Sequence, residues 1–456
     1  MKRSLLAAGF LLVAPILTRF LGCSDPEAQS ADAGAIARDG AKDVTKRDAV
    51  VDTGPCGLAG YVPDDAYAPS CGFCYASTKE SLPAPITWKA CDPNSEPKGM
   101  VCRQMVEDWT PGKYAPLLIS PFVVAWAQPN DAVTFVLSRL EELGIHRIVV
   151  DADGPVHQAI LETTNTCTLG QFAIQAGKVA YRVYDSEAQG KLSSYGGGSM
   201  GGAIDDLRPR VYTHYHDKDI VYSYYASSTG LLEISTVGSE IKQYDWATGA
   251  YLRTVDSAAQ NGTYAIRQVW PVGDAIFTDA YIDQFYMKLR VWTLDGGARD
   301  FISFGGDWTK SAGNLASDGV SLVWSQGEGR TNPNLAFDQA RVMRTDFTTN
   351  PPDGGKLVGT TSSSGAFTNP GVVGCGYVAR QGAIALDAGS EPQGVLLFRL
   401  SDGKRWELPN VPGAALRWGQ PLAITCTELF ALATVDGTPP VLTLARVRLD
   451  SIGPGQ

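Results

Sequence analysis

Short apolar stretches alternate with polar turns along most of the chain, from residue 112 to residue 450. Val179-Ala180-Tyr181-Arg182-Val183-Tyr184 is a typical stretch, rich in the β-branched and aromatic residues that favour strands. Asp-Gly pairs at 295–296, 402–403 and 436–437 stand where hairpins or strand ends need a turn residue. The pattern predicts an all-β protein made of many short strands.

This strand-and-turn theme recurs seven times, at intervals of roughly 40 to 60 residues. We place the first strands of the seven units near Phe122, Val179, Ile220, Ala275, Val320, Ala383 and Leu429. The spacing is typical of the blades of a β-propeller, each a four-stranded antiparallel sheet that needs neighbours on both faces. We therefore predict a β-propeller of seven blades, with six or eight as alternatives and two β-sandwich domains as the rival architecture.

One repeat carries a resemblance to a known family. Ser317-Asp318-Gly319-Val320-Ser321-Leu322-Val323-Trp324 has an Asp-Gly turn before a short strand that ends in an aromatic residue. In this the units resemble degenerate propeller repeats of the TolB type, and the whole chain resembles uncharacterised propeller lipoproteins of Gram-negative bacteria. The resemblance implies a propeller fold, but its motifs are architectural and imply no reaction.

The N-terminus reads as an export signal. Two basic residues precede an apolar run from Leu5 to Leu17, which Arg19 ends before the run could span a membrane. Phe20-Leu21-Gly22-Cys23 follows and resembles the lipobox of bacterial lipoproteins, although Phe20 stands where leucine is usual. The resemblance implies removal of a signal peptide, residues 1–22, and lipidation of Cys23. An ordinary secreted protein is the alternative.

The same resemblance predicts where in the cell the protein is located. Acyl chains such as palmitate on Cys23 would hold the protein to a membrane, because two or three buried chains give a stable anchor. Ser24 favours the outer membrane, on its periplasmic or surface face. Residues 23–54 are rich in alanine and acidic residues and hold no aromatic residue, which predicts a disordered tether.

The chain has nine cysteines, and lipidation of Cys23 leaves an even number. In an exported chain this predicts four disulfides among Cys56, Cys71, Cys74, Cys91, Cys102, Cys167, Cys375 and Cys426. The CxxC spacing of Cys71 and Cys74 has neither the second pair of a zinc ribbon nor the βαβ context of a thioredoxin-like site, so structural disulfides are favoured. Cys375 and Cys426 lie far from the others and are expected to pair.

Four segments follow from these patterns: the signal peptide 1–22, the tether 23–54, a cystine-rich cap with a closing strand 55–111, and the propeller 112–456. Residues 100–109 alternate enough to form a strand, which we expect to complete the last blade, whose own strands end near Arg448. A ring closed by strands from both ends of the chain has no free edge at the junction. Cys102 would then join the cap to the ring.

The formal net charge of −10, with no basic block, argues against nucleic acid as a partner. The expected partners are the membrane, through the lipid anchor, and a protein or saccharide of the cell envelope. Tryptophans and tyrosines are numerous, and they either line such a site or fill the spaces between blades. No cofactor is predicted.

His214-Tyr215-His216, followed by Asp217, is the best candidate for a metal site. Residues two apart on a strand share a face, so both imidazoles would point the same way, with a carboxylate nearby. The alternative is that these histidines are hydrogen-bonded parts of a blade core, since the remaining ligands are unidentified.

Two further motifs favour structural interpretations. Residues 197–201 match the GxSxG pattern of serine hydrolases, but no helical pattern follows to form the required elbow, so we interpret them as a flexible loop. Asp151-Ala152-Asp153-Gly154, with His157 beyond, is similar to the start of a calcium loop but lacks its closing ligands. A turn at the end of a strand is favoured.

No catalytic residue is assigned. We therefore favour a non-enzymatic binding or scaffold lipoprotein that acts through the loops of its propeller. The alternative is an extracytoplasmic propeller hydrolase or lyase acting on a sugar or lactone, for which His214, His216 and Asp217 would be the first candidates.

Overall fold

The computed structural model describes residues 73–75, 86–91, 101–110, 113–116, 119–128, 130–139, 144–163, 167–185, 197–203, 206–214, 223–234, 240–248, 250–257, 265–272, 275–281, 287–292, 297–303, 311–328, 339–346, 355–361, 371–381, 394–410, 415–435, 441–453 and 455. The regular elements in these residues are β-strands and one 3₁₀ turn, Leu449–Ser451. The all-β prediction is confirmed. No helix in this part of the chain is long and apolar enough to cross a membrane.

Four strands come before the repeating part of the chain: β1 (Phe73–Tyr75), β2 (Ile86–Ala90), β3 (Cys102–Thr110) and β4 (Lys113–Pro116). The next strands form antiparallel groups of four, which we number in chain order. Group 1 holds β5 (Ile119–Ala127), β6 (Val133–Arg139), β7 (Gly144–Asp151) and β8 (Gly154–Thr163); group 2 holds β9 (Cys167–Gln175), β10 (Lys178–Asp185), β11 (Gly197–Ala203) and β12 (Asp206–His214); group 3 holds β13 (Ser223–Ala226), β14 (Leu231–Ile234), β15 (Glu240–Tyr244) and β16 (Tyr251–Ser257).

The pattern continues to the end of the chain. Group 4 holds β17 (Ala265–Val272), β18 (Ala275–Tyr281), β19 (Met287–Trp292) and β20 (Ala298–Ser303); group 5 holds β21 (Ser311–Ser317), β22 (Ser321–Glu328), β23 (Gln339–Asp346) and β24 (Lys356–Thr361); group 6 holds β25 (Val372–Gly374), β26 (Tyr377–Gln381), β27 (Gly394–Arg399) and β28 (Arg405–Pro409). The last three strands are β29 (Leu416–Ile424), β30 (Glu428–Val435) and β31 (Val441–Arg448).

The last three strands obtain their fourth partner from the start of the chain. β3 pairs antiparallel with β31, with Gln104 opposite Ala445, and we call β29, β30, β31 and β3 group 7. The buried Thr443 hydroxyl donates a hydrogen bond to the carbonyl of Met105 at 3.1 Å. The strand predicted at 100–109 therefore does pair with the last strands of the chain.

The N-terminal strands also cover sheet edges that would otherwise be open. β1 pairs with β8, the outer strand of group 1, and β2 pairs with β3, the outer strand of group 7. One bridge, Leu442 opposite Ile119, joins β31 to β5. Because unpaired outer strands are prone to edge-to-edge association, these additions protect both groups that meet at the junction.

The core lies between neighbouring groups. Met105, Phe430 and Leu444 of group 7 pack with Phe135 and Ile148 of group 1 in one buried cluster. Similar clusters join groups 3 and 4, 4 and 5, 5 and 6, and 6 and 7. The first strands contact one another in the order β5, β9, β13, β17, β21, β25 and β29, and β29 contacts β5. In the described residues, groups 4, 5, 6 and 7 each share a buried cluster with both of their neighbours.

The phase of the repeat differs from the one that the sequence predicts. Val179, Ala275, Val320 and Leu429 mark the second strands of their groups, β10, β18, β22 and β30, and only Phe122 lies in a first strand. The reason is that second strands are buried on both faces: Leu322 packs towards group 4 and Val323 towards group 6. Such strands give the strongest apolar signal in the sequence. Ile220 and Ala383 lie outside the described residues.

The prediction of a flexible loop at 197–201 was wrong, because Gly197–Ala203 form strand β11. β11 pairs with β10 on one side and with β12 on the other. Sheet hydrogen bonds use backbone groups, so two flanking strands can hold a glycine-rich segment in place despite its entropy cost. Ser199 therefore lies in the middle of a strand and has no strand-to-helix elbow.

Candidate functional site

Two kinds of connection lie at the two ends of the strands. In a group of antiparallel strands, the turn between the first and second strands lies at the same end as the turn between the third and fourth strands. We call this end of each group the turn end. The other connections share the opposite end, which we call the connection end. Three described turns at the turn end have two residues each, 152–153, 176–177 and 375–376, whereas 12 residues of sequence separate β26 from β27, which are joined at the connection end.

Local hydrogen bonds fix the turn end. The Asp318 carboxylate accepts hydrogen bonds from the backbone N–H groups of Val320 at 3.0 Å and Ser321 at 2.8 Å. Gly319, which lies between Asp318 and Val320, has φ of +89°, a conformation that favours glycine. This is the Asp-Gly turn on which the TolB-type resemblance rests, and the strand after it carries the buried Trp324. Such self-bonded turns form rigid, low-entropy corners.

A second type of turn has the same construction in group 3. The Asp245 carboxylate accepts hydrogen bonds from the backbone of Ala247 and from both the backbone and the hydroxyl of Thr248. The Trp246 indole N–H reaches the Ser227 carbonyl of the neighbouring turn at 2.8 Å. The two turns of this group are therefore tied to each other as well as to their own backbones.

Three turns from different groups meet at one point of the turn end. Cys375, between β25 and β26, forms a disulfide with Cys426, between β29 and β30, with a Cα–Cα distance of 5.0 Å. The carboxylate of Asp131, between β5 and β6, accepts a hydrogen bond from the backbone N–H of Cys426 at 2.9 Å. This cluster, which we call the junction cluster, thus links groups 6, 7 and 1, and its three side chains are exposed.

In group 6, an ion pair between Arg399 and Asp402 holds the turn that contains Asp402 in place. The Arg399 guanidinium donates hydrogen bonds to this carboxylate, with 2.9 Å between Nε and Oδ1, and lowers the pKa of Asp402 from 3.8 to about 2. The backbone N–H of Lys404 acts in the same direction. Since the pKa of Asp402 is lowered in the folded state, its charged carboxylate stabilises the folded protein fully above about pH 4. This stabilisation is lost as the pH falls towards 2.

We expect Arg399→Gln to raise the pKa of Asp402 back towards 3.8, because the largest stabiliser of the charged carboxylate is removed. Titration of the carboxyl carbon by NMR measures this directly. Arg448→Gln is the control, since Arg448 pairs with Asp450 instead and its loss should leave Asp402 unchanged. A native midpoint near 3.8 would contradict the assignment.

A buried polar chain joins groups 3 and 4. The Trp292 indole N–H donates to the Thr278 hydroxyl at 3.2 Å, and that hydroxyl donates to the Asp256 carboxylate at 3.2 Å. Asp256 and Thr278 are almost fully buried. Because these two side chains are buried, we interpret this series of hydrogen bonds as a contact that aligns neighbouring sheets and not as a reactive site.

The predicted metal site is only partly visible. His214 is the last residue of β12, where it lies opposite Gly198. His216 and Asp217 lie outside the described residues, so the shared face of the two histidines stays a prediction. Asp151 and Asp153 do lie at the predicted turn, between β7 and β8, where the backbone N–H of Asp153 donates to the Asp151 carboxylate at 2.9 Å.

The cysteines are placed in part. Cys375 pairs with Cys426 as predicted, and Cys91 pairs with Cys102, which ties the segment after β2 to the closing strand β3. Cys74 lies in β1 and Cys167 begins β9, whereas Cys23, Cys56 and Cys71 lie outside the described residues. The remaining pairings and the lipidation of Cys23 therefore stay predictions.

Sequence reasoning missed the part that Asp131 takes in the junction cluster. The Asn-Asp pair at 130–131 is a turn signal, but its neighbour Cys426 is almost three hundred residues away along the chain. One local sign does exist: Asp131 has φ of +64° and Cys375 has φ of +47°, conformations that residues other than glycine adopt mainly at constrained sites.

Comparison with known proteins gives a fold resemblance only. No protein-family model matches the chain, and no curated protein matches it. Among solved structures it is similar to a putative TolB from Agrobacterium tumefaciens, at 13% identity over 63% of this chain and 93% of that chain, with a TM-score of 0.33. It is also similar to a chain of the nidogen/laminin complex, at 11% identity over 58% and 89%, with a TM-score of 0.36.

A peptidase also appears among these structures. The chain is similar to an acylaminoacyl peptidase from Pyrococcus horikoshii, at 12% identity over 72% of this chain and 52% of that chain, with a TM-score of 0.42. The chain thus spans about half the length of that peptidase. At these identities and TM-scores none of the three proteins carries an activity over to this chain.

Proposed function

We propose that this protein is a lipid-anchored binding or scaffold module of the cell envelope, and that a seven-bladed β-propeller presents its binding loops. The observation that carries the proposal is the pairing of β3 with β31, in which a strand from the N-terminal part completes the last group. A sheet completed from both ends of the chain holds first and last blades together.

Contacts between neighbouring groups support a closed ring. The first strands contact each other in chain order, and β29 returns to contact β5. At the point of return, Met105 and Phe430 of group 7 pack with Phe135 of group 1 in one cluster. A ring of seven blades accounts for these contacts without leaving any blade face in water.

The connection end is the proposed binding surface. At the turn end, the carboxylates of Asp318 and Asp245 accept hydrogen bonds from the backbone of their own turns. The strand ends at the connection end are separated by longer stretches of sequence, with 11 residues between β10 and β11, 10 between β22 and β23 and 12 between β26 and β27. Rigid scaffolds with long loops at one end are the usual means of presenting variable binding residues. The proposed ligand is a protein or saccharide of the envelope.

The proposed anchor is Cys23 with its acyl chains, and residues 23–54 act as the tether. Residues 55–111 then form the cap and closing strand, fastened by the disulfide between Cys91 and Cys102. In this arrangement the ring carries the binding loops, and the lipid holds the ring at the outer membrane, where its partner lies.

Crosslinking in intact envelopes tests the proposal. The full-length chain should fractionate with membranes and crosslink to a discrete partner, whereas Cys23→Ser should appear in the soluble fraction with much less crosslinked product. A chain whose segment 382–393 is replaced by a Gly-Ser linker of equal length tests the binding surface and should lose the partner. Replacement of 318–320 at the turn end is the matched control and should keep it.

Two results would contradict the proposal. Mass spectrometry of the native protein could find an unmodified N-terminus, which would remove the anchor. Alternatively, both loop replacements could leave the crosslinked product unchanged, which would remove the connection end as the binding surface.

A further inference from the structure

The junction cluster holds three potential metal-binding side chains from three separate groups. The two sulfur atoms of Cys375 and Cys426 and a carboxylate oxygen of Asp131 all lie within 4.8 Å of one another. All three residues are exposed, in contrast to the other described disulfide, whose Cys91 and Cys102 are 4% and 0% exposed. A reductant and a metal ion can therefore reach this cluster from solvent.

The backbone holds these residues in place independently of the disulfide. The Asp131 turn is closed by its own hydrogen bonds, from Asp131 N–H to the Gln128 carbonyl at 3.1 Å and from Gln128 N–H to the Ala132 carbonyl at 2.8 Å. The Cys426 turn is closed in the same way, since Thr425 N–H donates to the Glu428 carbonyl at 2.8 Å.

The Cys375 turn is equally constrained. A methyl group added at Gly374 would overlap the carbonyl of Ile424, so the ends of β25 and β29, just before the two cysteine turns, are in direct backbone contact. Leu400 N–H donates to the Gly376 carbonyl at 2.7 Å. Breaking the sulfur–sulfur bond would thus release two thiols on a backbone that stays where it is.

Two thiolates and a carboxylate suit a soft or borderline divalent cation. Zn²⁺ binds thiolate sulfur at about 2.3 Å and carboxylate oxygen at about 2.0–2.2 Å, so its tetrahedral ligand atoms lie roughly 3.5–3.8 Å apart. The spacing in the junction cluster is compatible with this after rotation of the cysteine side chains. Water would fill the fourth position, as it does at open zinc sites.

We propose that Cys375 and Cys426, once reduced, form with Asp131 a surface site for a divalent cation of the Zn²⁺ type. The disulfide in the oxidised protein and the metal ion in the reduced protein are then alternative cross-links at the point where groups 6, 7 and 1 meet. A dithiol reductant supplies the two electrons and two protons that convert the disulfide to two thiols, and it becomes a disulfide itself. The cation displaces one proton from each thiol as the two sulfur–metal bonds form.

Titration with Zn²⁺ alone tests this site on the folded, full-length chain. The protein is treated with a mild phosphine reductant, freed of it under nitrogen, and titrated against a chromophoric chelator. Reduced protein should bind one Zn²⁺ more per chain than the double variant Cys375→Ser/Cys426→Ser treated identically. That variant subtracts any contribution from the other cysteines. The oxidised protein should lack this extra ion.

Asp131→Asn separates the third ligand from a merely structural role. Its amide oxygen can still accept the hydrogen bond from Cys426, so the turn is kept, but zinc affinity should fall at least about tenfold. Asp318→Asn, in another exposed turn, is the control and should not change it. Equal zinc uptake by reduced protein and the serine double variant would overturn the site, and unchanged affinity in Asp131→Asn would overturn the three-ligand assignment.

Should the double variant fail to fold, alkylation of the two released thiols in the native chain replaces it. Peptide mapping identifies the alkylated residues, and alkylation at 375 and 426 should abolish the extra zinc ion. Retention of that ion after alkylation would equally overturn the proposal.

Discussion

Replacement of Trp324 by alanine should lower the free energy of unfolding by about 3–5 kcal/mol, the range found when large aromatic side chains are removed from a core. Trp324 is 1% exposed and lies in the cluster that joins groups 4 and 5. Its ring packs edge-on against Phe301 of group 4, with 5.5 Å between ring centroids. The substitution therefore leaves a cavity between two sheets. Chemical denaturation of the purified variant measures the loss.

Val320→Ala is the matched control for this prediction. Val320 precedes Trp324 by four residues but is 68% exposed, so its truncation should change the stability by less than about 0.5 kcal/mol. Equal effects of the two substitutions would mean that groups 4 and 5 do not pack against each other through Trp324.

Met105→Ala should lower the free energy of unfolding by about 2–5 kcal/mol, because Met105 is fully buried in β3, the strand that pairs with β31. Its side chain packs with Phe430 and Leu444 of group 7 and with Phe135 of group 1. The loss thus weakens both group 7 and its contact with group 1. Hydrogen exchange of the β3 backbone should accelerate together with that of β31.

Val101→Ala tests whether this effect is specific to the buried face. Val101 lies just before β3 and is 38% exposed, and its truncation should leave both stability and exchange nearly unchanged. Faster exchange in β3 alone, with β31 unaffected, would argue against a shared sheet.

The sequence predicts those elements best that are buried on two sides. The second strands, such as β22 with Leu322 and Val323, give continuous apolar signals, and the hairpin turn before β22 carries the recognisable pair Asp318-Gly319. First strands are harder to find: β25 has three residues and β13 has four. This is why the predicted repeat was displaced by one strand.

Contacts that depend on the arrangement of the groups could not be predicted. The composition of residues 197–203 argues for a loop, and only pairing with two neighbouring strands makes them β11. Asp131 and Cys426 are remote in sequence, as are Asp256 and its partner Thr278 to a lesser degree. The Cys375–Cys426 pair could be predicted because these two cysteines lie far along the chain from the others.

The pairing of β3 with β31 is the central claim, and an engineered cross-link tests it most directly. Gln104 and Ala445 are opposite each other, so cysteines at both positions lie within the range for a disulfide. Non-reducing peptide mapping of Gln104→Cys/Ala445→Cys should find the two peptides joined, whereas Gln104→Cys/Leu444→Cys should not, because Leu444 points to the other face. Two free thiols at 104 and 445 in a folded chain would contradict the account.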